Sequence, residues 1–75
     1  MNFLQRIFGS AEENPEEKKK ETEARQFDAL KYDGIAALKI GQVDYAVTCF
    51  SHALQLQDDL EIHDHLSVAY IHQNQ

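Results

Sequence analysis

Four histidines, one cysteine and thirteen acidic residues are the side chains of this 75-residue chain that could do chemistry. Their spacing argues against it. His63 and His65 are two positions apart, so on a helix they point about 160° away from each other. His65 and His72 share a side but stand about 10.5 Å apart along the axis, too far to hold one ion together. Glu61 with His65 makes an i, i+4 pair, and two ligands do not close a metal site. His52 lies on another segment. Cys49 has neither a base nor a positive charge beside it to make a reactive thiolate, and reads as a small apolar helix residue. No nucleophile–base pairing is supported by spacing. The expectation is a non-enzymatic chain without metal or cofactor.

The totals narrow the class further. A formal charge of −6 is wrong for a phosphate-backbone binder, which clusters Lys and Arg. The one basic run, Lys18–Lys20, sits between Glu16-Glu17 and Glu21, the alternation of a solvated helix face. No segment approaches the roughly 20 apolar residues of a membrane span. A lone cysteine cannot make an internal disulfide, which suits a reducing compartment. The start, MNFLQRIFGS, has its apolar run broken by Gln5 and Arg6, unlike a signal peptide. A cytoplasmic location is expected. A chain this short builds a thin core.

What would position any site is helical. Residues 1–13 read as a short amphipathic segment and linker, with Phe3, Leu4, Ile7 and Phe8 on one side if helical. Asn14-Pro15-Glu16-Glu17 is a helix start, with a capping residue, a first-turn proline and acids at the positive end. One helix is expected from Pro15 to about Ile40. Its charged part, residues 14–26, projects, and its second half is amphipathic through Phe27, Leu30, Ile35, Ala37 and Leu38. Gly41 suits the left-handed residue after a helix, and Lys39 the negative end of its dipole. A second helix follows from Val43 to about Gln57, with Val43, Ala46, Val47, Phe50, Ala53 and Leu54 on one stripe. Asp59 can cap a third, Leu60 to Gln73, with Ile62, Leu66, Ala69, Tyr70 and His63 expected to face inward. β alternation is absent. The predicted fold is all-α: about three antiparallel helices behind a flexible or partly helical N-terminal extension.

The small residues Gly34, Ala37, Gly41, Ala46 and Ala53 stand where a free hairpin would want bulk. Small residues at crossings let backbones approach closely. Their spacing resembles the tetratricopeptide repeat, a helix–turn–helix unit of about 34 residues. With Phe27 first, Leu30, Gly34 and Ala37 match positions of the first helix and Gly41 the turn. Ala46, Phe50 and Ala53 match the second helix. A second copy resembles the family from Leu60, through Leu66, Ser67, Ala69 and Tyr70, at an offset of 33 positions. The family's fourth-position aromatic is Leu30 and then His63, its tyrosine is Ala37 in the first copy, and Asp58 stands at the closing proline. The resemblance covers residues 27–75, as a repeat at 27–59 and a partial one at 60–75.

That resemblance implies a protein-binding scaffold whose first helices line a concave groove for a peptide or helix. Its groove positions fall on Asp28, Lys31, Tyr32, Ile35, Leu38 and Lys39, then on Glu61, Asp64, His65, Val68, Ile71 and His72. Helical spacing independently groups Lys31, Ile35, Leu38 and Lys39, and Glu61, His65, Val68 and His72. Members that clamp a carboxylate tail use Lys and Asn spread over three units. Lys31 matches one such Lys, but Ile35 and His65 stand where Asn is expected, which argues against that ligand. Repeats bury their flanks on neighbours, so the open side calls for the third helix as a cap, residues 1–9 folded back over it, a homodimer, or continuation in a longer array. The rival reading is a peripheral membrane or self-associating role for residues 1–9. Phe, Leu and Arg6 suit an interfacial helix, but the acidic stretch that follows disfavours anionic lipid.

Overall fold

A computed structural model describes residues 15–74, as three helices: α1 (Pro15–Lys39), α2 (Val43–Leu56) and α3 (Leu60–Gln73). The amphipathic segment and linker expected at residues 1–13, and the Asn14 cap, lie outside the described residues. Packing is antiparallel between α1 and α2 and between α2 and α3. Contact between α1 and α3 is slight, so α2 is the middle of the array.

The joints follow from local chemistry. Gly41 adopts a φ of 83°, and a side chain there would meet no neighbour, so backbone conformation alone favours glycine. Around it the Gln42 N–H donates to the Ala37 carbonyl at 2.8 Å, and the Gly41 N–H to that of Leu38 at 3.2 Å. This pair of bonds satisfies two end carbonyls of α1 and reverses the chain in three residues. Asp59 opens α3: its Oδ1 accepts from the Ile62 N–H at 3.0 Å, satisfying a donor that the helix start would leave bare.

The core runs along α2. Ala46, Phe50 and Ala53 have no exposure, nor do Ile62 and Ala69 from α3; Phe27, Ala37, Cys49 and Leu66 complete it. Leu30, Ile35, Leu38, Val47, Leu54 and Leu56 pack around this cluster. Gly34 is buried, and its missing side chain has a definite occupant. A Cβ there would lie 2.6 Å from Phe50 Cε1 and 2.8 Å from Cδ1. The glycine therefore makes room for an aromatic ring; close approach of two main chains is not its main service. The outer half of α1, up to Gln26, is exposed except for partial cover at Glu23. Two residues depart from expectation. Tyr70 and His63 face outward from α3, Tyr70 at 47% exposure, because Ile62, Leu66 and Ala69 already fill the side of α3 that meets α2.

Candidate functional site

Two rows of side chains, one on α1 and one on α3, form the candidate surface. On α1 the row begins at Asp28, exposed, and Lys31, whose side chain retains only 13% exposure. It continues through Ile35 and Leu38, both partly buried against the core, while Tyr32 and Lys39 lie further out and exposed. On α3 the row is Glu61, His65, Val68 and His72; His65 is partly buried and the other three are exposed. Asp64 and Ile71 are exposed further round the helix.

One ion-pair cluster joins the rows. Lys31 Nζ donates to Asp59 Oδ2 at 3.0 Å and approaches Glu61 Oε2 at 3.3 Å. Asp59 thus serves two partners, the backbone of α3 and the ammonium of α1. Its carboxyl is held below the usual carboxylate range, first by the Ile62 N–H and then by Lys31. The Lys31 ammonium is pushed above its ordinary value, chiefly by its bond to Asp59. Lys31, a partner-binding residue in the sequence reading, has its charge engaged within the chain by Asp59 and Glu61.

His65 has a similar double character. Its ring stacks on Phe50, with centroids 5.5 Å apart and planes 12° from parallel. The imidazole therefore closes the core beside α2 while its edge remains at the surface. This stack, and the pairing of Lys31 with Asp59, had no signal in helical spacing, because each joins different helices. The repeat-type residues divide by place: Gly34, Ala37, Ala46, Phe50, Ala53, Leu66 and Ala69 are buried, Leu30 is partly buried, and Gly41 and Tyr70 are exposed.

Further polar contacts tie the elements together. Gln73 Nε2 donates to Asp44 Oδ1 at 2.8 Å, tying the end of α3 to the start of α2. His63 Nε2 lies 2.7 Å from Asp58 Oδ1. Tyr45 has its phenol pKa raised, first by hydrogen bonding with the Cys49 thiol and also by the Asp33 carboxylate. Among the described residues, no group of three or more His, Cys, Asp or Glu side chains could hold a metal ion. Among them, no helix is long and apolar enough to cross a membrane. The arrangement offers a mixed surface of aliphatic, imidazole and aromatic groups with charges at its edge.

Comparison with protein-family models, curated proteins and solved structures finds no match for this chain.

Proposed function

We propose that this chain is a non-enzymatic adaptor of the tetratricopeptide-like kind, holding a peptide or helix of a partner protein along the channel between α1 and α3. The observation that carries the reading is the slight contact between α1 and α3. Both helices lie against α2 and present Ile35 and Leu38 on one side and Val68 on the other, with Lys31–Glu61 closing one end. A ligand chain laid there would cover aliphatic surface that the three helices leave half open. The helix–turn–helix with Gly41 at its bend, the buried Ala46 and Ala53, and the restart at an offset of 33 positions support the repeat assignment.

Val68→Asp is the clean test. Val68 is 44% exposed, so a carboxylate there remains solvated in the free protein and is buried only under a ligand. Leu38→Asp is the harsher change, because Leu38 also packs on the core. Peptides selected from a displayed library on the wild-type protein should perturb the NMR resonances of Ile35, Val68 and His72. Val68→Asp should weaken them at least tenfold with unchanged helicity by circular dichroism. Failure to select any peptide, or perturbation confined to α2, would overturn the reading.

A further inference from the structure

Building on the adaptor reading, we infer that the channel between α1 and α3 takes a polypeptide segment with a basic side chain at one end and an acidic one at the other. Helix direction sorts the charges along it. α1 and α3 both run antiparallel to α2, so they run the same way as each other. Lys31 Nζ meets Asp59 at 3.0 Å and Glu61 at 3.3 Å, which sets the start of α3 level with Lys31. Gln73 bonds Asp44, which sets the end of α3 beside the start of α2, and so near the end of α1. Residue order along each helix therefore gives order along the channel.

The Lys31 end is acidic. Asp28 precedes Lys31 by one turn on the side of Ile35, Asp59 and Glu61 flank the ammonium from α3, and Asp64 follows one turn later. Four carboxylates thus stand against one ammonium, which Asp59 already engages. Asp28, Glu61 and Asp64 are exposed. The other end carries Lys39 in the last turn of α1 and His72 in that of α3, both exposed. Asp44 comes to this end from α2, with its Oδ1 accepting from Gln73 Nε2 at 2.8 Å. Between the ends lie the uncharged Ile35, Leu38 and Val68. The two ends are about 12 Å apart from Lys31 to Lys39 and about 16 Å from Glu61 to His72. An extended segment spans that in about four or five residues. A wholly basic tail satisfies the Asp28–Glu61 end alone, and a wholly acidic one is repelled there. A segment bearing both signs satisfies both ends while its middle covers the aliphatic side chains.

The probe is a displayed library of random peptides of about ten residues, too short to hold a helix alone, selected on the wild-type chain. Binders should be enriched in a basic and an acidic residue about four or five positions apart. Asp28→Lys and Lys39→Glu, both at exposed positions, should each weaken them at least fivefold with an unchanged far-UV spectrum. Charge reversal in the peptide then locates each end. Changing its acidic residue to Lys should rescue binding to Lys39→Glu, and changing its basic residue to Glu should rescue binding to Asp28→Lys. Binders that shift the Ile35 and Val68 resonances yet lack the pair, or that are indifferent to both substitutions, would overturn the inference and leave the adaptor reading standing. A library that yields no binder would remove both.

Discussion

Gly34 shows how one missing side chain can order a small core. A helix interior ordinarily gains about 1 kcal/mol from Gly→Ala. Here the added methyl would come within 2.6–2.9 Å of three atoms of the Phe50 ring. That ring has no exposure and is itself stacked on His65, so it cannot yield freely. Overpacking should outweigh propensity, and Gly34→Ala should destabilise by about 1–3 kcal/mol, read as a lower thermal midpoint. The check on mechanism is Phe50→Leu, which should make the same Gly34→Ala change far less damaging; equal losses in both backgrounds would refute the packing argument.

At the scale of elements, the start of α3 is a joint that responds to pH. Asp59 has a lowered pKa in the folded chain. Its contribution is therefore complete above the carboxylate's ordinary range and is lost as pH falls through the lowered folded value. The raised pKa of Lys31 contributes below the ordinary lysine range and is lost as pH rises through the raised value. Asp59→Asn should keep part of the cap, remove the ion pair, and flatten the acid limb of a stability–pH profile followed by circular dichroism. The three helices and their joints were legible in the sequence because stop and start signals are local: Gly41 with Lys39, and Asp59 before Leu60. Ends differ by a residue, with Lys39 for the expected Ile40 and Leu56 for Gln57. The inner face of α3 was only partly legible. Leu60, Ile62, Leu66, Val68 and Ile71 surround that helix, so periodicity does not decide which side meets α2. Spacing alone therefore puts Tyr70 and His63 inward, and the structure turns them out. Of the candidate surface, its rows were legible from spacing. The engagement of Lys31 by Asp59 and of His65 by Phe50 was not, because both depend on how the helices dock.

Among the described residues, α2 packs against both α1 and α3, and those two meet each other through Lys31 with Asp59 and Glu61. Phe50 touches both neighbours, at Gly34 and at His65. Such an arrangement should unfold as a unit. Ending the chain after Gln57 uncovers Phe50 and Ala53, and should cost most of the helical circular dichroism of α1 and α2 as well as that of α3. Retention of a stable α1–α2 hairpin would contradict this. The buried thiol of Cys49 adds a practical consequence. Sealed at 4% exposure, it can meet a bulky aqueous alkylating reagent only when the helix packing opens. The chain therefore carries a built-in stopwatch: the labelling rate, followed by mass spectrometry, times excursions from the closed state, and any ligand that clasps the helices should slow the clock.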